Sequence, residues 1–156
     1  GKLGLPDHIL PKPGKYTEEE YEVMKKHPII GYEMIKEATS PYLRTGAEIA
    51  LTHHEKYNGT GYPYGLKGEQ IPLSGRILAV ADVFDALTSK RSYKEQWEMQ
   101  DALDLLKKER GAHFDPRLVD IFLDNLEDVY TIFTAQSSGT IDFEAYFKRG
   151  RATLLD

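Results

Sequence analysis

Residues 58–75 carry five glycines and two prolines, and this stretch constrains the fold more than any other. Glycine costs a helix backbone entropy and proline removes an amide donor, so no helix runs through it. It must be a long connection, and a connection of this length inside a compact domain is usually functional. Gly59 and Gly61 permit positive φ or a close approach of backbone to a ligand, and Pro63 fixes the exit of the loop. The adjacent pair His53-His54, with Glu55 behind it, leads into the stretch. Ala81-Asp82-Val83-Phe84-Asp85 follows it.

The segments on either side repeat at helical spacing. Thr17-Glu18-Glu19-Glu20 has the form of a capping box, so a helix is expected from there through Tyr21 and Met24 toward His27. Pro28 then ends or restarts it. A second helix covers Ile30, Met34 and Ile35 and stops at Ser40-Pro41. A third runs from about Leu43 to Tyr57, with Leu43, Ala47, Leu51 and then His54 along one face. Another spans Arg76 to about Ser89, with Ile77, Val80, Phe84 and Leu87 on its apolar face. A helix over Gln96–Arg110 carries Ala102, Leu105 and Leu106 and ends at Gly111. Asp115-Pro116 opens the next, which runs to Leu126. Residues 129–133 read as a short strand or a helical extension. Phe143, Tyr146 and Phe147 predict one short amphipathic helix beyond. Residues 1–16, with three prolines, form turning backbone. The expected fold is all-α: one domain over residues 1–128 and an extension over 129–156.

Composition narrows the chemistry. Cysteine is absent, which excludes disulfides and thiolate metal sites. Any metal must be held by His, Asp and Glu, a donor set that suits Mn, Fe, Zn or Ni. The net charge of −5 argues against a general binder of nucleic-acid polymers, whereas a local basic patch would suit a small phosphorylated ligand. No apolar run approaches the roughly 20 residues needed to cross a membrane. A cytoplasmic location is expected.

Adjacent histidines on a helix point about 100° apart. His53 and His54 can therefore face two neighbouring metal ions, or one metal and one substrate. The plainer alternative is that they cap a helix before a surface turn, but the acidic stretch that follows favours a metal site. Asp82 and Asp85, three apart, share a helix face. A carboxylate on so aliphatic a helix costs free energy unless it is paired, hydrogen-bonded or bound to metal. For Asp85 the alternative is a partner arginine or a loop cap. Lys90-Arg91-Ser92-Tyr93-Lys94 is either a solvated charge run or a phosphate contact, with Arg91 as a bidentate fork and Lys94 as a point charge. His113 reads as a packing or capping residue.

The order of these motifs resembles one family. Lys26-His27-Pro28, His53-His54-Glu55, Asn58-Gly59-Thr60-Gly61-Tyr62-Pro63, Ile71-Pro72, Arg76-Ile77, Ala81 to Ser89, Arg91, Tyr93-Lys94 and Gly111 to Pro116 together resemble the HD-GYP domain, over about residues 1–126. The resemblance implies an HD-domain-like helical bundle and a metal-dependent phosphodiesterase that hydrolyses cyclic di-GMP to pGpG and GMP. It implies a cluster of two or three divalent ions, Fe or Mn, with His27, His53, His54 and Asp82 among the metal ligands. Lys2 matches the lysine that closes the family's His-Asp-x-Gly-Lys motif, and Asp85 matches an acid lining the catalytic site. Arg91 and Lys94 match residues that contact substrate phosphate. Gly61, Tyr62 and Pro63 match the namesake loop, which shapes the pocket and serves partner contacts.

The family's His-Asp pair lies ahead of Gly1-Lys2, and a Glu and a His ligand lie farther upstream. The sequence is therefore expected to be part of a longer signalling protein, with a sensory or receiver domain ahead of it and a homodimer or a diguanylate cyclase as further contacts. Two other readings stand beside the enzyme. One is a regulatory module that binds nucleotide or a partner without catalysis. The other is a phosphohydrolase acting on a different nucleotide.

Overall fold

The structure is a computed structural model that describes residues 1–10, 12, 14–89 and 97–137. Among these the ordered elements are helices and turns, with two isolated bridges, Asn58 to Lys67 and Arg110 to Phe114. The chain divides into two compact units, residues 1–120 and 121–156.

In the first unit a short 3₁₀ turn, Lys2–Gly4, precedes α1 (Glu18–Met24). The capping box forms as expected: the Glu20 amide donates to the Thr17 hydroxyl at 3.3 Å, and the Thr17 amide donates to the Glu20 carboxylate at 2.7 Å. Pro28 restarts the helix rather than ending it. It sits in the first turn of α2 (His27–Ile35), where a missing amide leaves no intrahelical bond unmade. For the same reason Pro41 opens α3 (Pro41–Thr52) instead of stopping α2. Leu5, Ile9 and Met24 form a small core under α1.

α3 is shorter than its periodicity suggests. It ends at Thr52, with His53 as its C-cap, so His53 and His54 leave the helix rather than continuing it to Tyr57. Leu43 is 49% exposed, and the buried side chains of α3 are Ala47 and Thr52. α4 (Leu73–Thr88) starts three residues before the expected Arg76. Val80, Phe84 and Leu87 face the core as expected, whereas Ile77 is 50% exposed and Ala79 takes its place. α2 packs on α3, α3 on α4, and α4 on α5 (Met99–Lys108), which buries Ala102, Leu103 and Leu106. Gly75 permits the α3–α4 approach, because a Cβ there would overlap the Thr52 hydroxyl. α6 (Pro116–Asp124) begins as read, with the Arg117 amide donating to Asp115 at 2.9 Å. It stops at Asp124, and residues 129–133 belong to α7 (Leu126–Ser137), not to a strand. Phe143, Tyr146 and Phe147 lie outside the described residues.

Candidate metal centre

Three imidazoles converge where α2 meets the end of α3. His27 is 4% exposed, and its Nδ1–H donates to the Met24 carbonyl at 2.7 Å. The Nδ1–H of His53 donates to the Ala50 carbonyl at 2.9 Å. A carbonyl only accepts, so each bond assigns the ring proton to Nδ1 and leaves Nε2 with a lone pair. The His27 Nε2 then stands 3.2 Å from that of His53 and 3.1 Å from that of His54. Between His27 and His53 this sets lone pair against lone pair, an arrangement that a cation between them relieves. Nitrogens that share one ion at about 2.0–2.1 Å stand roughly 3 Å apart, so the spacing suits ligation. All three donor atoms lie within 4.8 Å of one another.

The two adjacent histidines therefore do not splay as helix neighbours would. Their rings lie 4.1 Å apart at 39°, both turned toward His27, because the chain has already left the helix. Sequence spacing could not show that turn.

The cluster is neutral. Burial lowers the pKa of His27 and His53, and the bonds to Met24 and Ala50 offset part of it. His54 falls to about 3, first through burial and then through the neighbouring His53, His27 and Lys2. Burial lowers His113 as well. Unfolded, each would titrate near the ordinary value of 6.5. As the pH falls through that value the unfolded chain takes up protons that the folded chain refuses, so acid favours unfolding. With chelator present, the urea midpoint is expected to be lower at pH 5 than at pH 7.5. An equal or higher midpoint at pH 5 contradicts a neutral cluster.

The glycine-rich loop sits against these rings. Tyr62 stacks on His54 with ring centroids 4.7 Å apart at 24°, and meets Tyr21 edge-on at 6.4 Å. The Tyr62 amide donates to the His54 carbonyl at 3.2 Å. Gly61 must lack a side chain, since a Cβ there would overlap the backbone of Glu55 and Lys56. The Tyr62–Pro63 peptide bond is cis. Asn58 caps its own turn by accepting from the Thr60 amide and hydroxyl, and the Tyr57 and Asn58 amides donate to His113 and Ala112. The connection is thus ordered throughout, with a 3₁₀ turn at Gly68–Gln70.

Asp82 and Asp85 lie on the exposed side of α4, so the desolvation cost expected of them does not arise. The Asp82 carboxylate does not join the histidine group but lies near enough to raise the pKa of His53. Asp85 accepts from the Ser89 hydroxyl at 2.9 Å. Lys2 is exposed, and its charge reaches all three histidines. Arg91 and Lys94 lie outside the described residues. His113 stacks on Phe114 at 4.3 Å, a packing role.

Two features have no counterpart in the sequence reading. Glu55, 2% exposed, accepts from the Tyr64 and Leu66 amides at 2.8 and 3.0 Å. Arg76 donates to Asp115 at 2.6 Å and to the Ile71 carbonyl at 2.9 Å, joining the start of α4 to the start of α6. The only hint in the sequence was that both acids flank chemistry-bearing motifs.

The HD domain family model matches residues 1–118. The chain belongs to the HD domain family. This HD domain is 58% identical over 123 residues to the cyclic di-GMP phosphodiesterase response regulator RpfG of Xanthomonas campestris, covering 79% of this chain and 32% of that protein. It is 48% identical over 133 residues to a cyclic di-GMP phosphodiesterase of Thermotoga maritima, covering 83% of this chain and 36% of that one. In structure it is similar to a cyclic GMP-AMP specific phosphodiesterase of V. cholerae, with a TM-score of 0.60, 26% identity, and coverage of 77% of this chain and 27% of the other. The chain spans about a third of the length of the curated relatives it matches. No helix among the described residues is long and apolar enough to cross a membrane.

Proposed function

We propose that this HD domain is the hydrolytic domain of a metal-dependent phosphodiesterase acting on cyclic di-GMP. The observation that carries the reading is the meeting of three neutral imidazole nitrogens at one point, with Asp82 and Lys2 beside them. Identity to proteins named for cyclic di-GMP hydrolysis supports the substrate. His27, His53, His54 and Asp82 would hold two or three divalent ions, Fe or Mn, together with ligands contributed from upstream. When bound, such ions supply an activated water and charge to stabilise a phosphate oxygen.

The chain's own residues do the rest. The Met24 and Ala50 carbonyls hold the ring protons of His27 and His53 on Nδ1, which aims both Nε2 atoms inward. Tyr62 covers one face of His54 and limits its access to water. Lys2 places a positive charge beside the cluster, where a phosphate would gain from it. Asp85 lines the same helix, and Arg91 and Lys94 contact substrate phosphates. Gly61-Tyr62-Pro63 shapes the pocket and offers a surface to a second copy or a diguanylate cyclase.

An upstream sensory or receiver domain belongs to the same reading, and the relative named as a response regulator supports it. So do a domain boundary near residue 128 and a cytoplasmic location, which rest on the sequence pattern and the absence of cysteine. A second substrate, cyclic GMP-AMP, is favoured by the structural neighbour described as specific for it. The test is turnover by the full-length protein loaded with Mn or Fe. Cleavage of cyclic di-GMP that chelator abolishes is expected, with slower cleavage of cyclic GMP-AMP. Metal-loaded protein that cleaves neither overturns the proposal.

A further inference from the structure

We infer that Glu55 is a positioning residue: it clamps the Gly61-Tyr62-Pro63 loop so that the Tyr62 ring lies on His54. The inference rests on the reading of His54 as part of the metal centre. Glu55 follows His54 directly, and its carboxylate is buried. Both of its oxygens are spent on the loop, one on the Tyr64 amide at 2.8 Å and one on the Leu66 amide at 3.0 Å. These two amides lie just past the residue that touches His54.

A second tie runs the other way, from the Tyr62 amide to the His54 carbonyl at 3.2 Å. Just before the ties Gly61 lies flat on the backbone of Glu55 and Lys56, with no room for a Cβ. The loop is therefore held to the two residues behind the histidine pair along its length. The Tyr62 ring, stacked on His54 at 4.7 Å, has its position set by that clamp.

Two acceptor atoms on one buried side chain fix the loop at two points, which a side chain with a single acceptor could not do. A partner behind a metal ligand typically affects metal affinity by about 10–100-fold, and Glu55 acts on His54 in that way through Tyr62.

The test uses chelated protein first, in which metal plays no part. The ring proton between the two nitrogens of His54 is assigned by its loss in His54→Gln. Stacking on Tyr62 displaces this NMR line by the tyrosine ring current, and Tyr62→Ala gives its unstacked position. In Glu55→Gln, one oxygen is kept and the other becomes an amide that faces a donor. The His54 line is expected to move most of the way to its Tyr62→Ala position, and the Tyr64 and Leu66 amides to exchange faster with solvent. Gly61→Ala, which keeps the Glu55 carboxylate but sets a Cβ against the Glu55 and Lys56 backbone, is expected to move the same line in the same direction. The Mn²⁺ affinity of Glu55→Gln is expected to fall about 10–100-fold.

A His54 line that stays at its wild-type position in Glu55→Gln, with the far-UV circular dichroism of a folded chain, overturns the inference. Should Glu55→Gln not fold, a wild-type His54 line in Gly61→Ala overturns it instead. If the wild-type protein binds no Mn²⁺, the metal-centre reading fails, while the NMR comparison still decides the role of Glu55.

Discussion

Replacing His27 by alanine is expected to abolish metal retention and lower turnover of cyclic di-GMP by more than about 100-fold, since even partners behind a ligand cost 10–100-fold. His27 is the hub of the cluster. Its Nε2 is the atom that both other rings approach, at 3.2 and 3.1 Å. Without it the two half-buried imidazoles lose the nitrogen that both of them face, and the donor set loses its shared member. The variant also strands the buried Met24 carbonyl, whose donor is the His27 ring, at a cost of about 1–3 kcal/mol. Binding and folding effects separate in one experiment. Urea denaturation with chelator reads the folding loss alone. Excess Mn²⁺ should then stabilise the wild type by mass action and leave His27→Ala unchanged. A variant that keeps its Mn²⁺ and its turnover refutes the assignment of His27.

The second large effect lies away from the histidines. Asp115→Ala is expected to destabilise the fold by about 3–5 kcal/mol, because it leaves a largely buried guanidinium without its partner. Domains of this kind have only about 5–15 kcal/mol in all. Asp115 is 1% exposed and bonds the Arg76 guanidinium at 2.6 Å. Burial alone would push its pKa up, but the bonds from Arg76 and from the Arg117 amide and side chain outweigh it and leave the carboxyl lowered. The same carboxylate caps α6, and the loss of a cap adds about 1 kcal/mol. Thermal unfolding should drop by roughly ten degrees or more. The double variant Arg76→Met, Asp115→Leu should recover much of the loss, since an apolar pair replaces a buried ion pair at little cost. A single variant that unfolds within about 1 kcal/mol of wild type would show that water reaches the pair and screens it.

The sequence by itself settled what depends on near neighbours. The Thr17–Glu20 capping box, the start of α6 at Asp115-Pro116 and the break in α-helix from Asn58 to Pro72 all follow from backbone sterics and local hydrogen bonds, whereas at Pro28 the sequence allowed either an end or a restart. The candidate site was legible as motifs, since His27, His53, His54 and Asp82 stand in recognisable order. What the tertiary structure alone decided is geometry set by distant partners. Periodicity carried α3 on to Tyr57 because it counts only apolar spacing. The chain turns at His53 because Thr52 packs against Gly75 of α4, and because Glu55 is drawn inward to the Tyr64 and Leu66 amides. That turn puts both rings on His27, 26 and 27 residues away. Asp82 and Ile77 sit where α4 faces outward, a matter of which neighbours cover a helix rather than of its own pattern. Arg76 and Asp115, 39 residues apart, meet only when α4 and α6 are in place. Local propensity acts through a few adjacent dihedrals, whereas burial and charge pairing are properties of packed surfaces that the chain assembles from both ends.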